Sequence, residues 1–227
     1  MKSKWHISLT CIVFFSIIYN SQAQEAQQNS DSLYSGALNL MNDAGDWSVK
    51  GSPAKAKEFY AKAINSLIPV LENNSRFPGA SAALAHCYYE MQQYNQSVTW
   101  YVKSLSEDST ISPSLAELGL SFANLGNADS AVYFLRSAAR HENDEKFQKS
   151  LSSEIVRLSE KIQGKAYETA KKDVDKGNEQ YWVALKILMV AFDMDPYRNE
   201  VAKNISDLGF RLNDYDIASK YLKYSVR

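Results

Sequence analysis

Beyond an apolar N-terminal run the chain holds two histidines, His86 and His141, and neither lies in the His-Glu-x-x-His spacing that places two zinc ligands and a base on one helical face. No Gly-x-Ser-x-Gly turn is present to expose a nucleophilic serine, and no glycine-rich loop to cradle phosphate. Asp193, Asp195 and Glu200 gather around Pro196 and read as solvated carboxylates at helix ends, not as an acid–base pair. Of the two cysteines, Cys11 lies in the apolar run. Cys87 alone remains downstream, which excludes an internal disulfide there and a four-cysteine zinc site. Its neighbours Ala83, Leu84 and Tyr88 mark it as a small buried hydrophobe. These residue types support no reaction class, so the expectation is a non-enzyme with no cofactor and no metal. His86 titrates near neutrality in principle, but a hydrogen-bonded structural histidine is the commoner outcome.

The elements that would position such residues begin with the N-terminus. Lys2 and Lys4 precede the apolar run Ile7–Tyr19, and the small residues Ser21 and Ala23 follow it. That order is the pattern of a secretory signal peptide cleaved after Ala23. The run is well short of the ~20 residues a membrane-crossing helix needs. The expectation is an exported protein, periplasmic or secreted, organised as a signal peptide at 1–23, a short flexible N-terminus at 24–30, and a folded body. An uncleaved N-terminal helix, tethering a structural subunit of an envelope complex, is the alternative. The chain carries 25 Lys and Arg against 26 Asp and Glu, and loss of Lys2 and Lys4 makes it slightly more acidic. Nucleic-acid binders show a basic patch or stripe, so no nucleic-acid partner is expected.

The body repeats. Within Ser112–Asn143, Leu115, Leu118, Gly119 and Phe122 are followed by Ala131, Leu135 and Ala138, with Gly126 closing the first helix. One repeat upstream, Leu84, Ala85 and Tyr88, then Ser97, Tyr101 and Ser104, take the same roles. Small residues let two helices approach, and the large ones fill the space between pairs. A looser copy runs from Tyr34, Ala37, Leu38 and Met41 to a helix end at Gly45. A loop at Ser48–Ser52 follows, then Pro53, Ala56, Tyr60 and Ala63. Ala184, Leu188, Ala191 and Pro196, and then Ile205, Leu208, Tyr215, Ala218 and Leu222, supply two more degenerate pairs.

This spacing, with its period of about 34 residues, resembles the tetratricopeptide repeat (TPR) family. The resemblance implies an all-α fold of antiparallel helix pairs stacked as a short TPR-like α-solenoid. Three pairs would occupy 31–143, and a long helix plus two degenerate pairs 144–227. One segment breaks the period. Phe147, Leu151, Ile155, Leu158, Ile162, Ala166, Ala170 and Val174 form a single amphipathic stripe between Asn143 and Gly177. One extended amphipathic helix through Gly164 is preferred over two helices broken there, since a lone interior glycine costs only ~1 kcal/mol. Phe147, Leu151, Ile155, Leu158 and Ile162 are then candidates for a second interface, such as a homodimer through the long helix. Closure of the groove by that helix is the alternative.

In the TPR family the first helix of each pair lines a concave face that holds a partner peptide or protein. Register carries that role onto Asn39, Asn42 and Asp43, onto Ala82, His86, Tyr89 and Glu90, and onto Ala116, Leu120, Ala123 and Asn124. Tyr89 is the favoured contact, because tyrosine is enriched at interface hot spots. Members that clamp a chaperone's C-terminal carboxylate use cations here. Ser35, Ala82, Ala116, His86 and Leu120 stand in those places and only Asn39 agrees, so no carboxylate-clamp chaperone partner is expected. The triplets Asp31-Ser32-Leu33, Asp108-Ser109-Thr110 and Asp129-Ser130-Ala131 resemble an O-glycan acceptor of some bacterial periplasms, but such triplets are short, and caps or turn residues are the preferred account of the serines. The function expected is a protein–protein interaction scaffold of the envelope or secreted space. A helical enzyme or small-ligand carrier is the least favoured alternative.

Overall fold

The computed structural model describes residues 9–107, 112–142 and 144–226, without the side chains of 9–21 and 23. Among the described residues the fold is all-α, built of antiparallel helix pairs in the TPR manner. The chain divides into two compact units, one ending at Cys87 and the other beginning at Tyr88.

In the first unit, α1 (Leu9–Val49) and α2 (Pro53–Asn73) form a hairpin, and α3 (Ala80–Glu90) begins. α1 does not stop at Gly45. A Cβ at Gly45 would meet nothing within 4 Å, so no contact selects glycine there and the helix runs on to Val49. The expected loop at Ser48–Ser52 shrinks to a tight turn in which Gly51 takes φ +73° and Pro53 starts α2. Residues 24–30, expected to be a flexible N-terminus, are helical as well. The Asn73 amide donates to the Ala26 carbonyl and to the buried Ser30 hydroxyl, tying that turn of α1 to the end of α2. The signal-peptide reading falls partly outside the described residues, because 1–8 are not among them. No helix of the described residues is long and apolar enough to cross a membrane.

In the second unit, α4 (Tyr94–Glu107), α5 (Ser112–Asn124), α6 (Ala128–His141), α7 (Glu145–Ala170), α8 (Val174–Met194), α9 (Asn199–Arg211) and α10 (Tyr215–Ser225) follow. α4 packs on α5, α5 on α6, α7 on α8, and α9 on α10, while α8 also meets α6 and α9. Local chemistry sets the starts: Asn127, Asp144, Asp173 and Asp214 each accept from the backbone N–H three residues on. Gly126, at φ +84°, ends α5 with Asn127 N–H bonded back to the Phe122 carbonyl. The repeat residues do what their sizes require. Leu118, Ala131, Leu135 and Ala138 are fully buried, and a Cβ at Gly119 would stand 2.7 Å from Leu135 Cγ.

The amphipathic stripe differs from expectation at its end. α7 passes through Gly164 without a break, but it stops at Ala170, and Lys171–Asp173 reverse the chain into α8. Val174 is therefore the exposed first residue of α8, and Gly177 lies inside that helix. A Cβ at Gly177 would be 2.5 Å from Ala170 Cβ, so this glycine permits helix approach instead of ending a helix. The extra residues thus lengthen both arms of the fourth pair. Buried serines fasten it: Ser152 donates to the Ala191 carbonyl and Ser159 to that of Ala184.

Candidate functional site

A group of interacting polar side chains in the second unit forms where Tyr89, near the end of α3, meets α5 and α7. The Tyr89 hydroxyl donates to Glu154 Oε1 at 3.4 Å, and the Tyr101 hydroxyl donates to Glu117 Oε2. Tyr94 sets its ring edge-on to Tyr89 with centroids 5.9 Å apart. Burial comes first in raising the Tyr89 hydroxyl far above its ordinary range, and the carboxylates of Glu154, Glu117 and Glu90 add to it. Burial likewise holds the Glu154 carboxyl above the usual carboxylate range, and Glu117 adds to that. Arg157, 3.9 Å away, and the Tyr89 hydrogen bond act against it. A half-buried tyrosine ringed by carboxylates suits a cation or a hydrogen-bond donor carried on a partner. It has no nucleophile–base pair.

The structure separates the sequence-derived residues into surface and core. In the first unit Asn39 and Asn42 are exposed on α1, and Ala82 and His86 are half-buried on α3. The His86 ring meets Tyr60 edge-on at 5.9 Å, a packing role. In the second unit Tyr89, Glu90 and Asn124 are half-buried, and the Asn124 amide donates to the Leu120 carbonyl. Ala116, Leu120 and Ala123 are core residues, with Leu120 at 0 % exposure. They share one apolar cluster with Leu151, Ile155, Leu158 and Ile162. Those four stripe residues are buried at 8 % exposure or less, and Phe147 packs on the same cluster, because α8 covers that face of α7. The stripe proposed as a second interface is therefore occupied from within the chain.

Glu117, Glu154 and Tyr94 were not singled out in the sequence. The available signal was Glu154 itself, a carboxylate at the margin of the apolar stripe between Leu151 and Ile155. The acidic residues around Pro196 are dispersed: Asp193 pairs with Arg136 at 3.1 Å and Glu200 with Arg198 at 2.8 Å. His141 is exposed, with Nδ1 2.8 Å from the Ser137 carbonyl. Among the described residues no group of three or more His, Cys, Asp or Glu is placed to hold a metal. Of the three triplet serines, Ser32 is exposed on α1, Ser130 lies in the first turn of α6, and Ser109 is outside the described residues.

A tetratricopeptide repeat family model matches residues 79–110, the second pair, not the Ser112–Asn143 copy whose residues read most cleanly. No curated protein sequence matches the chain. Among solved structures, a crystal structure of MamA protein is similar in fold, at TM-score 0.50 and 14% identity over 84% of this chain and 90% of that one. MamA 41-end from Desulfovibrio magneticus RS-1 reaches TM-score 0.48 at 16% identity, covering 84% and 93%. YrrB, described as a TPR protein with an unusual peptide-binding site, reaches 0.45 at 18% identity, covering 90% and 92%. The likeness to MamA, at this identity, is one of fold.

Proposed function

We propose that this protein is a non-enzymatic scaffold that holds a protein partner, as an extended segment, against the Tyr89 face of its second unit. The observation that carries the reading is the tyrosine set among Glu90, Glu117 and Glu154: an amphipathic anchor beside three carboxylates, of which Glu154 also has Arg157 close by. Those carboxylates select a partner segment bearing lysine or arginine beside an apolar or aromatic residue. The N-terminal pattern of Lys2, Lys4 and Ile7–Tyr19 supports a periplasmic or extracellular location, after cleavage near Ala23.

The test is capture from envelope extracts with wild type and with Tyr89→Ala/Glu154→Gln, alongside a peptide array that pairs basic with acidic extended sequences. Partners lost by the variant and a preference for basic peptides support the proposal. The same partners at the same yield, or no charge preference, overturn it. Mass spectrometry of the purified native protein checks the cleavage: a start at Gln24 supports release after Ala23, and an intact Met1 overturns it.

A further inference from the structure

The outer face of α10 is apolar and exposed. Its inner face is anchored: Ala218 and Tyr221 are buried, Ser206 of α9 donates to the Ala218 carbonyl, and the Tyr221 ring meets Phe192 of α8 at 5.2 Å. On the outer face Tyr215, Ser219, Leu222 and Val226 follow one another at steps of four, three and four residues. At about 100° per residue they fall within about 60° of one another and form one stripe. Tyr215 is 62 % exposed, Leu222 47 % and Val226 81 %. Phe210 of α9, 46 % exposed, extends the stripe with its ring 6.3 Å from that of Tyr215. Isolated exposed apolar residues are ordinary, but a contiguous set marks a contact surface.

The charges beside the stripe say what covers it. Asp216 and Lys223 are exposed along one edge, one heptad apart. Lys223 lies over the Tyr224 ring at 5.7 Å, and neither charge forms an ion pair among the described residues. Lys220 lies further round the helix, over the Tyr221 ring at 5.3 Å. Consider a second α10 laid antiparallel on the first about a two-fold axis between residues 220 and 221. Tyr215 then meets Val226 of the second copy, and Ser219 meets its Leu222, so a large side chain faces a smaller one at each level. Asp216 comes within about 3 Å, along the axis, of the second copy's Lys223. The two Lys223 are offset by about 7.5 Å and the two Asp216 by about 13.5 Å. A parallel pair in register instead sets Asp216 on Asp216 and Lys223 on Lys223, which repel. The stripe is complementary to itself when antiparallel.

We propose that this face of α10 is a homodimer contact, in which two copies of the chain pair antiparallel across the stripe from Tyr215 to Val226. One short helix and Phe210 offer less than the ~800 Å² per partner of a stable interface, so the dimer is reversible and concentration-dependent. It differs from a dimer through α7, whose apolar face α8 already covers. It is also independent of the Tyr89 face, so each proposal fails on its own evidence.

Sedimentation equilibrium of the full chain over about 5–500 µM tests it. Wild type is expected to pass from monomer to dimer, and Leu222→Asp to remain monomeric. Asp216→Lys and Lys223→Asp each place like charges across the axis and weaken the dimer roughly tenfold. Asp216→Lys/Lys223→Asp restores opposite pairs and recovers wild-type association. Both native charges also suit the α10 dipole, so each swap costs some helix stability, which circular dichroism follows. Only contact between copies makes the double variant associate better than either single one. A wild type that stays monomeric overturns the proposal, as does a Leu222→Asp dimer of undiminished strength or a double variant no better than the singles. A monomeric wild type whose captured partner is lost on Leu222→Asp also overturns it, and assigns the face to another protein.

Discussion

The Tyr89 hydroxyl reaches Glu154 Oε1 across 3.4 Å, joining the end of α3 to the middle of a helix that begins more than fifty residues later. Tyrosine is the donor and the carboxylate the acceptor, so this bond favours the ionised acid while burial opposes it. Burial is the larger effect.

Glu154 should therefore set a pH dependence. Its folded-state pKa is raised, so the folded chain holds this proton more tightly than the unfolded chain does. At neutral pH the ionised group opposes folding. The opposition fades as pH falls through the folded pKa towards the ordinary carboxylate value. Glu154→Gln should raise the melting temperature most at about pH 8, and the gain over wild type should shrink towards about pH 5. Melting curves of both proteins across that range check the sign, and a gain that grows on acidification contradicts it.

Two glycines in the fourth pair should respond in opposite directions to alanine. Gly164 sits exposed within α7, and a Cβ there meets nothing within 4 Å. Gly164→Ala should stabilise by about 0.5–1 kcal/mol through helix propensity. A Cβ at Gly177 would be 2.7 Å from Ala170 Cα, backbone that moves only with its helix. Gly177→Ala should destabilise by about 1–3 kcal/mol. Urea denaturation of the two variants decides both.

Leu120→Ala should behave as a core truncation and not as a contact mutation. The side chain is fully buried, so a loss of about 2–5 kcal/mol is expected. Tyr89→Ala/Glu154→Gln should lose partner binding by contrast while the helical circular dichroism signal stays unchanged. Partner loss in Leu120→Ala with unaltered stability would return Leu120 to the binding face.

Asp144 caps α7 by accepting from Phe147 N–H at 2.8 Å. Asp144→Ala should cost about 1 kcal/mol, and Asp144→Asn much less, because both Asn and Asp cap well. Equal losses in the two variants would locate the effect in charge and not in the hydrogen bond.

The repeat was legible because its demands are steric. Gly119 against Leu135, and the full burial of Leu118, Ala131 and Ala138, follow from the size of the residues and their spacing. Helix ends were less legible. Gly45 looked like a terminator and is not one, because a glycine inside a helix costs little and the real turn uses Gly51. The reversal at Lys171–Asp173 has neither glycine nor proline, and Asp173 as the cap of α8 was its only mark. Of the candidate contact residues, Tyr89 and Glu90 keep part of their surface, whereas Leu120 is lost to the core. Periodicity tells which face of α5 is apolar, whereas whether a later helix covers that face depends on the length of α7 and on α8 lying over it.

The two serine bonds of the α7–α8 hairpin impose a rule on how this chain can change length. Ser152 and Ser159 are one heptad apart on α7, and their acceptors Ala191 and Ala184 are one heptad apart on α8, in reverse order. A residue inserted between them in one helix alone would rotate every later side chain by about 100° and turn one hydroxyl away from its carbonyl. Between the two bonds, descendants of this gene can lengthen the hairpin only by matched whole heptads in both arms, whereas residues added at its tip around Lys171 and Lys172 leave both bonds in place.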